Sequence, residues 1–568
     1  MKTILTFVFV VSIITLKAQH LTVEWVSQIN GLAPVESIKA DNEGNIYAAG
    51  RLNSVTDFDP GPGVYNLIPN PDLMSIFIVK MNSAGELLWV KKIEGELLYI
   101  KDIEVDEESN VYIYGTFAFS VDFDPGPGTC ILGFQGGTDA YIVKLNAEGD
   151  FAWAKTFGGL NQQWANCIHL DEDQNILLSG SFNGEADFDP GAGTEIFNTY
   201  SPTLGLYTTD IYITKLNPSG QLIWAKQFRT DSSGEIPVMT TDHANNIFLT
   251  GYYVKKLDAD PGNNTVNLEA SNSFYKNAFL LKLDANGDYM FSKNYTSTFD
   301  IYATSIARDE NDNLYIAGTF EGEADLDPGP NILTAISNVS TNGFICKLDA
   351  AGNTVWGKGF GGPNTEELLF LGLDSHGNPI SSGYFSWYSE FDTGSDPFIL
   401  NSNGSIDVFI TKLDTNGQFI WAKNIGGTNY DELTDMQFHN SGNLFLSGTL
   451  VTNTDLDPEY SGVPWYNISE GEQYIEKLSL TTLGLGDLSM GSDWTIYPNP
   501  TNGKCVIRSE NNSIQHLRLF SFDGQLIQVI PSINQKTFSL ELQQNPGFYW
   551  LEITDQSGHC STVKVVKQ

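Results

Sequence analysis

Seven times along this 568-residue chain, two acidic residues flank one other residue and run into a turn. The copies read DFDPGPG, DFDPGPG, DFDPGAG, DADPGNN, DLDPGPN, EFDTGSD and DLDPEYS, opening at Asp57, Asp122, Asp187, Asp258, Asp325, Glu390 and Asp455. In an extended segment the two carboxylates share one face and the middle residue takes the other. That middle residue is Phe58, Phe123, Phe188, Ala259, Leu326, Phe391 or Leu456, always apolar, and is expected to pin the loop to the fold. Two chemistries suit the acids. In the first they accept hydrogen bonds from nearby backbone N–H groups, beside a type II turn in which Pro fixes φ and Gly takes a positive φ. In the second, Asp57, Asp59, Asp122, Asp124, Asp187, Asp189, Asp258, Asp260, Asp325, Asp327, Asp455 and Asp457 act as hard oxygen ligands for calcium, the one cofactor the sequence suggests. Calcium takes roughly 6 to 8 oxygens, so most would come from elsewhere. Paired carboxylates also run glycoside hydrolysis, but that needs one pair in two different environments, which near-equal copies do not offer.

The same clock governs an aromatic residue, usually in a Trp-x-Lys step, at Trp25, Trp89, Trp153, Trp224, Phe291, Trp356 and Trp421, spaced by 64, 64, 71, 67, 65 and 65 residues. Each repeat reads as four short strands separated by turn signals; in the fifth they are TSIARD, NLYIAGTF, GFICKLD and TVWGKGF. The third strand always carries a lysine, from Lys80 to Lys477. Such a unit cannot bury both faces alone, whereas stacking around an axis covers each face with a neighbour. The first element, VEWVSQI, is an isolated fourth strand, and the seventh repeat lacks one. The expected fold is therefore all-β: a seven-bladed propeller over residues 19–480, closed by the N-terminal strand, with an open solenoid as the alternative.

Catalytic candidates come from where the repeats disagree. Two residues before the end of each first strand stand Lys39, Glu104, His169, Thr240, Ala307, Gly372 and Phe438. If first strands line the axis, Lys39, Glu104 and His169 would meet as an acid/base cluster; the competing reading is a solvated tunnel with drifted side chains. No G-x-S-x-G, H-E-x-x-H or phosphate-binding glycine loop occurs.

Composition limits the partners. Gly 54, Pro 23, 12% aromatic and only 17% charged residues suit strands and turns. The net charge of −39 lies almost wholly before Trp494, so nucleic acid and anionic membrane should be repelled, leaving divalent cations and neutral or basic ligands. Lys2, the apolar run Ile4–Leu16 and Ala18 read as a signal peptide over residues 1–18, and no segment is long enough to span a bilayer. Cys130, Cys167, Cys346, Cys505 and Cys560 show no zinc-site spacing, while Cys505 and Cys560 could pair in an oxidising compartment.

The run from GNIYAAG through FIVKM to LLWVKKI resembles the seven-bladed propeller repeat family often called SBBP, which implies fold but little about activity. After a Gly/Leu/Ser-rich join at 481–493, residues 494–568 alternate apolar residues between Asp-Gly and Pro-Gly turns, predicting a small antiparallel β-sandwich. YPNPTNG, LFSFDGQLI and PGFYWLEI, with Tyr497, Pro498, Asn499, Pro500, Gly503, Gly524, Gly547 and Tyr549, resemble the type A C-terminal sorting domain of type IX secretion. That resemblance implies recognition by the type IX machinery and delivery to the cell surface or beyond.

The expected role is a monomeric cell-surface or secreted binding or adhesion module for an extracellular glycan or protein. Its interaction faces would be the ring ends, where the acidic loops and loops such as FGGLNQQW and IGGTNYDE emerge. The alternative is a polysaccharide-active hydrolase or lyase using the channel residues.

Overall fold

The computed structural model describes residues 19–450 apart from 62, 202–204, 393–396 and 440, then 472–482, 494–497, 503–509, 512–521, 526–531, 533–542, 547–556 and 560–567. Residues 1–18, read from the sequence as a signal peptide, the acidic pair Asp455 and Asp457, join residues 483–493, and Pro498, Asn499, Pro500 and Gly524 lie outside these. Every regular element described is a β-strand, and no helix is long and apolar enough to cross a membrane among the described residues. The chain divides into two compact units, Val23–Leu478 and one built on Ser479–Gln568.

Within each sequence repeat the first strand pairs with the second, the second with the third and the third with the fourth. In the second repeat these are Leu97–Val105, Val111–Ala118, Asp139–Leu145 and Phe151–Gly159, all antiparallel. The middle two are buried on both faces and read as near-continuous apolar runs, while the fourth is half exposed and mixes polar with apolar residues. In the seventh repeat, Glu432–Phe438, Asn443–Leu450 and Glu472–Thr482 take the first three places, and the fourth is filled by Gln19–Ile29 from the start of the chain. First strands of successive repeats are neighbours, and the first strand of the seventh, Glu432–Phe438, lies against that of the first, Val35–Ala40.

The repeated Trp and Lys have one shared task. They face each other across the third and fourth strands, as in the registers Lys80↔Trp89, Lys215↔Trp224 and Lys347↔Trp356, each beside a bulge. In four of these pairs both side chains then reach for one carbonyl oxygen in the third-to-fourth-strand turn of the repeat alongside. Trp89 Nε1 and Lys80 Nζ donate to Ala147 O at 3.0 and 3.3 Å; Trp224 and Lys215 donate to Ala285 O at 3.2 and 3.4 Å; Trp356 and Lys347 donate to Thr415 O at 3.1 and 3.2 Å. Trp25 and Lys477 repeat the contact on Ser83 O at 3.0 and 3.3 Å, joining the two ends of the repeat array to its first member. The turn supplies a left-handed glycine against the ring. Gly417, at φ +75°, comes so close that a Cβ would stand 2.7 Å from the indole of Trp356.

The same lysines neutralise the acid that ends each first strand. Lys144, Lys215, Lys282 and Lys412 stand 3.1, 2.8, 3.1 and 2.5 Å from Asp106, Asp171, Asp242 and Asp374. Each acid also organises the tight turn to the second strand: Asp374 Oδ1 accepts the N–H groups of His376 and Asn378, and Oδ2 accepts the Asn378 amide. Burial pushes the Asp374 carboxyl up, but the bonds from Lys412 and Asn378 outweigh it and hold its pKa below the usual carboxylate range. Removing one partner of such a pair costs about 3–5 kcal/mol, because the other charge stays buried alone.

In the C-terminal unit, Trp494–Tyr497, Lys504–Ser509 and Thr537–Glu541 form one antiparallel sheet, and Leu526–Ile530, Ile514–Ser521, Gly547–Asp555 and Cys560–Lys567 form another. Trp494, Cys505 and Leu540 from the first share one apolar core with Leu519, Leu551 and Val565 from the second. Cys505 keeps a free, buried thiol, so the disulfide with Cys560 considered from the sequence is not formed.

Gly417→Ala should lower stability by about 1–3 kcal/mol, since it combines a positive φ with a steric clash against Trp356. Denaturant unfolding checks this, and a parent-like midpoint would mean that ring and turn do not meet in solution.

Candidate functional site

Bulges in the first strands, such as those at Val35/Ser37, Ile100/Asp102, Ala165/Cys167 and Leu433/Asp435, shape the innermost surface. Side chains from all seven repeats line one cavity of about 540 Å³ there. Three of the candidates meet in it. Lys39 Nζ stands 3.3 Å from Glu104 Oε1, and His169 Nδ1 stands 3.9 Å from the same oxygen, with His169 Nε2 3.2 Å from the Thr241 hydroxyl. Thr240 joins the lining, whereas Ala307, Gly372 and Phe438 do not. The seventh-repeat position was one residue out. His439, not Asn440, occupies the place of the terminal acid, its N–H donating to Asn443 O as that of Asp41 does to Asn45 O, so Gln437 is the residue that lines the cavity.

Two carboxylates not foreseen from the sequence do most to organise this cavity. Asp102 Oδ2 accepts Ile168 N–H from the third repeat at 3.1 Å, and Oδ1 accepts the Ser37 hydroxyl from the first at 3.0 Å. Asp435 Oδ2 accepts Ile38 N–H at 2.8 Å, tying the seventh repeat to the first. Asp102 stands two residues before Glu104 on the same side, so one further step of the period-two pattern would have found it; the same step from Phe438 gives Met436, and Asp435 comes into phase only once His439 is taken as the strand end. Burial opposes the charge on Lys39, but Glu104, Asp102 and Asp435 together overcome it and raise its pKa above the ordinary lysine value. Burial, with Lys39 second, pushes His169 down to about 4, and burial lifts Asp435 to about 6 against the pull of Lys39. The imidazole is therefore neutral near pH 7 and the Lys39 ammonium is held by three acids. Such a set binds polar groups and ties strands together.

The acidic loops are built on their own carboxylates. Asp57 Oδ1 accepts the N–H groups of Asp59 and Tyr65 at 3.1 and 2.7 Å, and Asp59 Oδ1 accepts Gly61 N–H at 2.8 Å. The pattern recurs at Asp122/Asp124, Asp187/Asp189, Asp258/Asp260 and Asp325/Asp327. The type II expectation fails, because Gly61 and its counterparts have no positive φ. The aspartate side chain captures the glycine N–H and replaces the backbone turn. The second glycine is needed for space: a Cβ on Gly63 would lie 2.0 Å from Asp59 Oδ2. Phe58, Phe123, Phe188, Ala259, Leu326 and Phe391 are all buried. Among the described residues no group of three or more His, Cys, Asp or Glu side chains is placed to hold a metal ion.

The glycine-rich connections between repeats turn polar residues inward. Gln163 Oε1 accepts Gly159 N–H at 3.1 Å in FGGLNQQW, and Asp431 Oδ2 accepts Gly427 N–H at 2.6 Å in IGGTNYDE. The matching residue in FGGPNTEE is Glu366, fully buried, whose pKa burial pushes up to about 8, the Gly362 N–H opposing only weakly. In the C-terminal unit, Tyr497 closes the first strand, Gly503 takes φ +115° before the second, Gly547 opens the long strand to Asp555, and Tyr549 is buried.

Residues 495–568 match the secretion system C-terminal sorting domain, which marks the chain for secretion to the cell surface or the medium. Over 520 residues, 75% of the chain, it is 24% identical to an uncharacterised WD repeat-containing protein, L264, of Acanthamoeba polyphaga mimivirus. Over 240 residues, 40% of the chain, it is 23% identical to the regulatory protein FlaEY of Caulobacter vibrioides. The matched segments span only 36% and 24% of those two relatives. An all-strand repeat chain with a WD-repeat relative fits a repeat β-propeller.

Between its ordinary value of 4.5 and about 8, Glu366 keeps a proton when folded that the unfolded chain has lost, so stability falls as pH rises through this window. Glu366→Gln, which installs the residue type found at Gln163, should raise the melting temperature at pH 8 and have little effect below pH 4.5. Equal melting shifts at both pH values would show that Glu366 is not protonated in the fold.

Proposed function

We propose that this chain is a seven-bladed β-propeller sealed by Gln19–Ile29 and followed by a β-sandwich sorting domain at 494–568. The type IX secretion machinery carries it, after removal of a signal peptide at 1–18, to the outer surface or the medium. There the propeller is a rigid binding module for an extracellular glycan or protein. The ring reading draws support from the Ser83 carbonyl, where Trp25 and Lys477 reproduce the contact made between internal repeats. The observation that carries the binding reading is how the cavity's ionisable groups are used: Glu104 is paired with Lys39, and Asp102 and Asp435 accept backbone N–H groups across repeats. Each of these three carboxylates is already engaged in holding repeats together, whereas proton-transfer catalysis requires one free to exchange a proton with a substrate. The WD-repeat relative agrees with a module of this kind.

A second reading, a polysaccharide-active enzyme, is favoured by the approach of Lys39, Glu104 and His169. The acidic loops are read as structural, since Asp57 and Asp59 already serve three backbone donors.

Deleting residues 494–568 should hold the protein inside the outer membrane. The exported protein, screened on plant and algal polysaccharides, should bind without releasing new reducing ends. Turnover that disappears in Glu104→Gln or His169→Gln would replace the module by the enzyme. Calorimetry with calcium should give no heat, and a chelator should leave the melting temperature unchanged; a heat with a matching shift would make the loops cation sites.

A further inference from the structure

In four repeats a polar side chain three residues after the Trp or Phe closes the gap between the fourth strand and the outer acidic hairpin. Lys92 Nζ donates to Ile68 O at 2.7 Å, Gln227 Nε2 to Asn198 O at 3.1 Å, Asn294 Nδ2 to Glu269 O at 3.1 Å and Asn424 Nδ2 to Asn401 O at 3.0 Å. The fifth repeat has Gly359 at this position and Ile336 where the acceptor would be. Without the tie, a cleft of about 750 Å³ lies along the fourth strand of the fifth repeat, walled by that repeat's own hairpin and by Tyr388 and Glu390 of the sixth, well within the roughly 300–1,000 Å³ of small-ligand sites.

The cleft walls suit a particular ligand. Tyr388 and Ile336 line it and are 40% and 59% exposed. Trp387, 67% exposed, lies beside Tyr388 with ring centroids 6.3 Å apart and planes tilted by 31°. Trp387 holds φ +68° at a left-handed position that the second and fourth repeats fill with Phe119 and Lys255 and the third and fifth with Gly184 and Gly322. Asn342 is nine-tenths buried, faces the cleft, and its amide nitrogen has no hydrogen-bond partner among the described residues. Lys358 and Glu390 also line the cleft, and neither side chain has a partner among the described residues.

We infer that this cleft, with the Tyr388–Trp387 platform at its edge, binds a neutral oligosaccharide. The apolar C–H face of a pyranose stacks on an aromatic ring, and its hydroxyls meet Asn342, Lys358 and Glu390, which together supply donors and an acceptor. A net charge of −39 disfavours polyuronates and sulfated glycans, leaving neutral sugars as the class. This site rests on the binding-module reading and assigns it a place and a ligand.

Titration calorimetry of the exported protein with cellohexaose, laminarihexaose, mannohexaose and an oligouronate of equal length tests it. At least one neutral hexaose should bind and the oligouronate should not. Gly359→Asn, which restores the side chain of the fourth and sixth repeats, and Tyr388→Ala should each weaken binding by about tenfold or more. Gly359→Asn places its Cβ 3.0 Å from that of Ala335, so melting curves accompany every variant, and Tyr388→Ala provides a test free of that contact. Phe274→Ala, at an 86% exposed ring elsewhere, should bind like the parent. Binding that survives in both cleft variants overturns this site and leaves the module intact. Preference for the oligouronate overturns the neutral class, and silence towards every oligosaccharide overturns the sugar assignment, while the module itself is judged by its polysaccharide and protein partners.

Discussion

At four repeat interfaces a single carbonyl oxygen ties the larger unit together. At Ser83, Ala147, Ala285 and Thr415 it accepts both an indole N–H and a lysine ammonium from the preceding repeat. A carbonyl has two lone pairs, and here both are used by a neighbour rather than by the turn's own strand. Because Trp and Lys stand opposite one another across two strands, the pair can form only when those strands are in register. Intra-repeat pairing and inter-repeat stacking are thus coupled through one atom. The tight approach of the turn glycine to the ring leaves no room for slippage.

Lys80, Lys215 and Lys347, which make this contact, also meet a buried or half-buried aspartate in their own repeat, and that aspartate holds the first-to-second-strand turn. A charge in a low-dielectric interior is tolerable only when it is paired and hydrogen-bonded, and both conditions hold here. The acidic hairpins apply the same rule nearer the surface, where the aspartates turn their oxygens on local N–H groups. Much of the net negative charge therefore serves as turn scaffolding, distributed around the unit with the repeats.

Against so regular a background, departures stand out. The fifth repeat loses a tie at Gly359 and gains a cleft; the sixth carries an exposed Trp387 at a left-handed position that other repeats fill with Phe119, Lys255 or glycine. Glu366 is a carboxylic acid where the third repeat has an amide, and burial keeps it protonated. Each departure has a neighbour of normal type to show what the position ordinarily does, which makes the molecule its own control.

The all-strand character, the repeat length, the apolar pinning residues and the sorting tail were legible in the sequence because each depends on local patterns: alternation, turn residues and a fixed spacing. The meeting of Lys39, Glu104 and His169 also followed from spacing, once equal positions in adjacent repeats were taken to face one another. Tertiary structure alone decided that Asp102 and Asp435 bridge repeats, that Gly61 sits outside the left-handed region, and that Gln437 rather than Phe438 faces the cavity. Those outcomes turn on bulges and on which donor a carboxylate captures. Both are settled by distances in space, between groups that are two residues apart at Asp59 and Gly61 and 397 apart at Ile38 and Asp435, and a linear chain does not carry such distances.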